Sequence, residues 1–181
     1  MKSLTQFILE NKDPEFKDEN KQALYDYAYG LTNDLNYRFR KGRPNKKDKE
    51  NAKKISALAK EMKLPTLYRS AEWRHFKQDY KIDDKTIFDH IGDIITDPGF
   101  LSTSTKEEGA WQLNVKDPDN LLIIFNSTGT HKAIDINKNL GKYSPSPEQT
   151  EILLDQYTKF KIVNVKKDKK GNITIEAELV K

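Results

Sequence analysis

The chain contains no cysteine in its 181 residues, so disulfide bonds, thiolate nucleophiles and zinc–sulfur sites are all excluded. Its three histidines, His75, His90 and His131, include no pair at metal-ligand spacing, and we expect no metal centre. Long hydrophobic runs are also missing, because the longest, Leu121–Phe125, is too short to cross a bilayer. The N-terminal residues do not form a signal-peptide pattern. We therefore expect the protein to act in a cytosol, whether that of the producing, host or target cell.

Hydrophobic residues are scarce as well, at 35% against 33% charged residues, which predicts a polar protein with a thin core. Eight Phe, eight Tyr and two Trp nevertheless exclude a disordered chain. The length suits a single domain, which we predict over 1–181, mainly helical in 1–63 and strand-rich in 64–181. The net charge of +4 and an isoelectric point near 9 favour acidic partners such as nucleotides, nucleic acid or an acidic protein face.

The first sixty residues carry apolar positions at helical spacing. An apolar stripe over 24–39 predicts one long helix that ends before Gly42. A second stripe over 55–62 predicts another helix, which Pro65 ends. The N-terminal third is therefore predicted to be helical.

From residue 66 onward, strand patterns dominate. The predicted strands are 66–70, 100–104, 121–125, 132–136, 151–154, 160–165 and 173–180, the last two forming a hairpin. Short helices are predicted over 73–80 and 87–94, and a loop over 137–149. Helices followed by strands predict an α+β fold: N-terminal helices packed on a mixed, mainly antiparallel, two-sheet β core. The Rossmann glycine fingerprint is missing, so a dinucleotide would not be held in the doubly wound way.

Three separated polar signals lie on or beside the predicted strands. Arg69 stands within an apolar strand, where an unpaired charge is costly. The hydroxyl cluster 102–104 follows an apolar segment, and Gln149 and Glu151 stand where a loop leads into a strand, so both should point to the same side. A fixed cation, hydroxyls and a carboxylate with an amide neighbour together predict an anion-binding and acid–base site.

These signals belong to a longer set of motifs in a fixed order. The motifs are Tyr27, Leu35–Asn36, Phe39–Arg40, Leu67–Tyr68–Arg69, Gly99–Ser104, Gln149–Leu154 and Thr158–Ile162. The set resembles the Arg, Ser-Thr-Ser and Gln-x-Glu signature of the ADP-ribosyltransferase exoenzyme family, over about residues 20 to 180. That family includes clostridial Rho-modifying exoenzymes, binary actin-modifying toxins and phage enzymes. The resemblance implies a mono-ADP-ribosyltransferase of the same fold, with NAD as co-substrate and a macromolecular acceptor.

The resemblance also implies roles for the central residues. Arg69 would bind the NAD diphosphate, which a planar guanidinium with five donors suits. Asn36 and Arg40 would hold the dinucleotide from the helical side. Ser102 would orient Glu151, whose carboxylate would accept a hydrogen bond from the ribose 2′-hydroxyl and stabilise the oxocarbenium-like transition state.

Further residues are assigned to the acceptor or to the rest of NAD. Gln149 would position the acceptor, with Tyr143 in the acceptor-recognition loop. Tyr27 and Gly99 would lie against the dinucleotide, and Trp111 would stack on the leaving nicotinamide ring.

Other interpretations of the same residues stay open. Arg69 could be an edge-strand ion-pair partner, and Glu151 could face water at the start of its strand. Asn36 and Arg40 could lie on a solvated helix face, and Trp111 could be a packing residue. The residue types do not decide between these roles.

Four functions compete on this sequence. The leading hypothesis is transfer of ADP-ribose to a protein side chain. The second is transfer to a DNA or RNA base, which Gln149 and the positive net charge favour. The basic stretch Lys41–Lys54 could contact nucleic acid, but Asp48 and Glu50 interrupt it, which favours a solvated linker and helix face. The third is an NAD glycohydrolase that uses water, and the fourth is an inactive NAD-binding module of the same fold.

Overall fold

The computed structural model describes residues 16–32, 34–82, 86–111 and 120–181. The α-helices in these ranges are α1 (Glu19–Ala28), α2 (Leu35–Arg40), α3 (Lys46–Ser56), α4 (Trp73–Tyr80), α5 (Glu107–Trp111) and α6 (Ile136–Leu140). The strands are β1 (Lys60–Lys63), β2 (Leu67–Glu72), β3 (Ile94–Asp97), β4 (Leu101–Ser104), β5 (Asn120–Asn126), β6 (Thr130–Asp135), β7 (Glu151–Leu154), β8 (Thr158–Lys167) and β9 (Ile173–Val180). Short 3₁₀ helices cover Ile87–His90, Gly141–Tyr143 and Pro147–Gln149.

Hydrogen bonds join these strands in the order β1-β6-β7-β4-β2-β5-β9-β8-β3. Every pairing is antiparallel except β5 with β9. The β2–β4 pairing consists of one residue pair, Tyr68 with Ser104, whereas β2 and β5 pair along six residues. The predicted α+β fold with a mixed, mainly antiparallel sheet is confirmed. The two predicted sheets are two parts of one sheet, joined at this single pair.

The residues of β7 alternate between two cores. Leu154 packs in a core that also contains Phe125 from the other part of the sheet. Leu153 packs in a second core, together with side chains of α1, α2 and α3. Because side chains alternate along a strand, Glu151 has the same parity as Leu153 and belongs to the helical side of the sheet.

The prediction of one helix over 24–39 is wrong, because the stripe is divided between α1 and α2. Gly30 adopts a positive φ of 72°, a conformation that glycine tolerates and that breaks the helix. Leu31, which the pattern placed on the apolar face, is 62% exposed. The interruption turns α2 back towards the sheet, and this brings Asn36 and Arg40 to the site described below.

Helix α3 begins where local hydrogen bonding requires and ends earlier than predicted. The Asn45 side chain accepts from the Asp48 amide at 2.8 Å, and the Asp48 carboxylate accepts from the Asn45 amide at 2.8 Å, a reciprocal capping box. The helix stops at Ser56, and 60–63 form β1 instead of a last helical turn. Pairing with β6 outweighs the helical periodicity of this segment.

Two further segments differ from the prediction. The stretch 87–94 forms only a short 3₁₀ helix, and Ile94 begins the edge strand β3, which pairs with β8. The predicted loop 137–149 contains α6, whose N-cap Asp135 accepts from the Lys138 amide at 2.9 Å. The helix predicted over 73–80 and the terminal hairpin of β8 and β9 are confirmed.

Candidate active site

Three adjoining cavities surround the polar residues that the sequence singles out. One of about 380 Å³ is lined by Arg40 and Arg69, and one of about 360 Å³ by Asn36, Ser102 and Glu151. The third, of about 290 Å³, is lined by Arg69, Ser102 and Glu151 together. The guanidinium, the hydroxyl and the carboxylate from three distant segments therefore meet in one groove.

The antiparallel β4–β7 pairing brings Ser102 to Glu151. The register pairs Ser104 with Glu151 and Ser102 with Leu153, so Ser102 and Glu151 lie on the same side of neighbouring strands. Burial raises the pKa of the Glu151 carboxyl, while a hydrogen bond from Ser102 and the charge of Arg69 lower it in part. The site thus holds a carboxylate poorly shielded by water, which can act strongly on a nearby positive charge.

Arg69 is a partly buried cation on β2. Its Nη1 donates to the Ser102 carbonyl at 2.8 Å. Within the described ranges, its guanidinium has no carboxylate partner at ion-pair distance. Burial and the nearby Arg40 charge both lower the pKa of Arg69. A bound anion would relieve both effects, so this part of the groove suits a phosphate group.

Arg40, by contrast, has its counter-charge within the protein. Its Nε donates to Asp97 Oδ1 at 3.0 Å and its Nη2 to Asp97 Oδ2 at 2.9 Å, and Nη2 also donates to the Phe100 carbonyl at 3.2 Å. Asp97 is fully buried and also accepts from the Tyr80 hydroxyl and from the Gly99 amide. Burial opposes the charge of Arg40, but Asp97 raises its pKa overall. Arg40 therefore does not lie on a solvated helix face.

Asn36 braces the helices against the strand that carries Ser102. Its Nδ2 donates to the Tyr27 hydroxyl at 2.7 Å, and its Oδ1 accepts from the Phe100 amide at 2.8 Å. The Tyr27 hydroxyl lies 3.5 Å from Ser102 Oγ. Gly99 allows this packing, because an added Cβ would lie 3.0 Å from Asn36 Oδ1. Asn36 therefore does not lie on a solvated helix face either.

The segment around Gln149 is not a simple extension of β7. Gln149 ends a 3₁₀ helix, and Thr150 has left-handed angles of φ 49° and ψ 51° before the strand begins at Glu151. Strand alternation therefore does not apply to Gln149, but Gln149 and Glu151 line the same 290 Å³ cavity, as expected. A β-branched residue in this region is strained by about 1–3 kcal/mol.

Two predicted site residues, Tyr143 and Trp111, are not placed in the groove by the described structure. Tyr143 packs at the helical core, with its ring centroid 5.5 Å from that of Phe16 in an edge-to-face contact. Trp111 is the last residue of α5, and its side chain lies outside the described residues. The roles assigned to both residues stay predictions.

The sequence interpretation missed several residues of the groove. The sequence interpretation assigns no role to Asp97, although an acidic residue at the end of an apolar segment calls for a partner. Ser70 lines the 290 Å³ cavity, and its hydroxyl is buried without a hydrogen-bond partner in the described part of the chain. Tyr37, 56% exposed, borders two of the cavities.

Within the described residues, three of the seven basic residues in the stretch Lys41–Lys54 form ion pairs with acidic residues. Its ion pairs include Lys41 with Asp79 at 3.3 Å and Lys54 with Glu19 at 2.7 Å. This pairing leaves less free charge for a phosphate backbone than the sequence alone indicates.

Among the residues of the four described ranges, no cluster of His, Asp or Glu could hold a metal ion. In those same ranges, no helix has both the length and the apolar character needed to cross a membrane.

The chain resembles one protein family along nearly its whole length. Residues 5–181 match the family model described as ADP-ribosyltransferase exoenzyme. No curated protein matches the sequence significantly.

Solved structures of similar fold include Plx2a, an ADP-ribosyltransferase toxin from Paenibacillus larvae. It is 20% identical, with a TM-score of 0.69 over 92% of this chain and 88% of that chain. The C3 exoenzyme of Clostridium limosum is 17% identical, with a TM-score of 0.69 over 92% and 87%. C3stau2 from S. aureus, solved with NAD, is 17% identical, with a TM-score of 0.64 over 92% and 89%. At these identities, the likeness establishes a common fold.

Proposed function

The chain belongs to the ADP-ribosyltransferase exoenzyme family of NAD-dependent mono-ADP-ribosyltransferases, and we propose that Arg69, Ser102 and Glu151 form its catalytic centre. In this proposal, the groove cleaves the nicotinamide–ribose bond of NAD and transfers ADP-ribose to a protein side chain. The observation that carries the proposal is that these three side chains line a single cavity.

The groove offers separate places for the parts of NAD. Arg69, which has no carboxylate at ion-pair distance among the described residues, is suited to the diphosphate. Arg40 lines the 380 Å³ cavity together with Arg69 and is held in place by Asp97. Asn36 and Tyr27 border the adjoining cavity beside Glu151, where the nicotinamide ribose would lie.

Glu151 would act on the ribose. When the glycosidic bond breaks, nicotinamide leaves with the bonding electron pair, and positive charge develops on the ribose ring. A partly desolvated carboxylate beside the ring stabilises that charge. The acceptor then bonds to the ribose carbon through its own electron pair and releases a proton.

Gln149 would position the acceptor at the rim of the same cavity. We favour a protein acceptor, because Asp48 and Glu50 interrupt the basic stretch that would favour nucleic acid, and three of its seven basic residues form ion pairs. A nucleobase acceptor is the second candidate, supported by Gln149 and by the positive net charge. A cytosolic place of action and a single domain over 1–181 stay predictions.

The acceptor class can be tested with adenylate-labelled NAD and a cell lysate. Label that protease removes and nuclease leaves supports the protein acceptor, and the reverse pattern supports a nucleic acid. Nicotinamide release without label transfer would identify a glycohydrolase. If no nicotinamide is released, the proposed activity is wrong.

The Ser102→Ala variant tests how the carboxylate is kept ionised. The hydrogen bond from Ser102 lowers the pKa of Glu151, so its loss should raise that pKa further above the ordinary value of 4.5. Only the ionised form stabilises a cation, so nicotinamide release in both enzymes should fall as the pH falls through the pKa of Glu151. In the variant, this fall should be centred at a higher pH, and kcat should drop about 10- to 100-fold.

Ser127→Ala is the control for this experiment, because the Ser127 hydroxyl bonds to Gly129 within the turn between β5 and β6. Its pH profile should match that of the wild type. An unchanged pH profile in Ser102→Ala would contradict the coupling between Ser102 and Glu151.

A further inference from the structure

Ser104, the last residue of the Ser-Thr-Ser segment, and Thr105, which follows it, hold the backbone that precedes Glu151. Thr105 Oγ1 and Thr150 Oγ1 share a hydrogen bond of 2.5 Å, and the Thr105 amide lies 3.4 Å from the Thr150 carbonyl. Ser104 Oγ donates to the Gln149 carbonyl at 2.6 Å. Consecutive residues at the end of β4 therefore hold consecutive residues of the Gln149–Glu151 segment.

Thr150 lies between two anchored neighbours. The Gln149 carbonyl is fixed by Ser104, and Glu151 is fixed in the β4–β7 ladder opposite Ser104. Thr150 connects them with a left-handed conformation that disfavours a β-branched side chain. If its angles changed, the peptide of Gln149 would rotate relative to Glu151. The Thr150 conformation thus determines how the side chain proposed to meet the acceptor is oriented towards the carboxylate.

Helix α5 packs against the contact between Ser104 and Gln149. A Cβ added to Gly109 would lie 2.5 Å from Ser104 Oγ and 3.2 Å from the Gln149 carbonyl, so the helix packs directly on both groups. The Lys106 amide also donates to Ser104 Oγ at 3.0 Å. The Gln149–Glu151 segment therefore has little room to move on the side that faces α5. The rotation that remains possible for this segment is opposed by the contact between Thr105 and Thr150.

We propose that Thr105 is a positioning residue that, through its contact with the Thr150 hydroxyl, holds the turn between Gln149 and Glu151 and directs ADP-ribose to the acceptor instead of water. This inference rests on the proposed function and extends it to the partition between transfer and hydrolysis. Cleavage of NAD depends less on the contact, because Glu151 keeps its strand pairing and Ser102.

The test uses Thr105→Val, which removes the hydroxyl and keeps the β-branched shape. Nicotinamide release and label incorporated into lysate protein from adenylate-labelled NAD are measured in parallel. We expect the ratio of transfer to nicotinamide release to fall about tenfold, with nicotinamide release within about threefold of wild type and the KM for NAD unchanged. Thr158→Val is the matched control, because it loses a threonine hydroxyl bond to the Asp155 carbonyl at the other end of β7.

A double-mutant cycle with Thr150→Val separates this contact from a general loss of stability. If the two hydroxyls act through each other, the double variant should have the same ratio as either single variant. Additive losses, or an unchanged ratio in Thr105→Val, would overturn the proposal.

Backbone amide hydrogen exchange tests the same contact in the absence of an ADP-ribose acceptor. The Thr150 amide, which donates to the Pro147 carbonyl at 3.4 Å, should exchange about tenfold faster in Thr105→Val, while the β8–β9 hairpin is unchanged. Unchanged exchange would overturn the proposal even if the enzyme is active. Faster exchange in a chain that releases no nicotinamide would instead support the contact and contradict the proposed function.

Discussion

The Glu151→Gln variant should lose nicotinamide release by about a thousandfold while it keeps its fold. Glutamine preserves the shape of the side chain but removes the charge that would stabilise the developing cation, and losing one such electrostatic contribution costs about 10²–10³ in kcat. Partial burial of the site increases this effect, because little water screens the carboxylate. The KM for NAD should change little if the charge acts mainly in the transition state.

The matched control is Glu148→Gln, in the same loop. Glu148 is exposed and lies in the 3₁₀ helix before Glu151, so the substitution should leave kcat near the wild-type value. Circular dichroism and the thermal midpoint should be unchanged in both variants. A Glu151→Gln enzyme that retains more than a tenth of the activity would contradict the role of this residue.

The Asp97→Asn variant should be among the most destabilised single substitutions of the chain. Asp97 is fully buried and binds Arg40, Tyr80 and the Gly99 amide. Without the charge of Asp97, Arg40 keeps only the longer contact of its Nε with Asp79 at 3.8 Å and lies close to Arg69. Breaking a buried pair from one side costs about 3–5 kcal/mol. For a chain of this length, that loss corresponds to a thermal midpoint about 6–20 °C lower. Denaturant unfolding, followed by circular dichroism, measures the free energy directly.

Glu19→Gln is the comparison for this loss. Glu19 also forms an ion pair, with Lys54, but it lies exposed on α1, where solvent screens the interaction. Its midpoint should stay close to that of the wild type. If Asp97→Asn were as stable as Glu19→Gln, the buried pair would not be the support that holds Arg40.

The residues of the candidate site can largely be predicted from local sequence motifs. Chain order and residue type suggested Arg69, Ser102 and Glu151, and antiparallel pairing brings them into one groove. The terminal hairpin follows from alternation in β9, whose inward positions are buried. The residue types, their order and the alternation are local patterns that can be recognised in the sequence, whereas the meeting of the three side chains depends on strand pairing.

The remaining features depend on contacts between distant segments. Periodicity predicts a helix through 60–63, but β6 supplies a pairing partner that a sequence window does not include. The pairing of Arg40 with Asp97 joins residues 57 positions apart, which no local motif reveals. The left-handed Thr150 is unexpected as well, because a threonine seldom adopts that conformation without outside support.

The single residue pair between β2 and β4 has a mechanical consequence for the groove. Arg69 belongs to one half of the sheet, whereas Ser102 and Glu151 belong to the other. The distance between Arg69 and Glu151 therefore depends on the angle between the two halves of the sheet at this narrow junction. The hydrogen bond from Arg69 Nη1 to the Ser102 carbonyl crosses this joint, so the guanidinium that we propose for the diphosphate also links the two halves of the sheet.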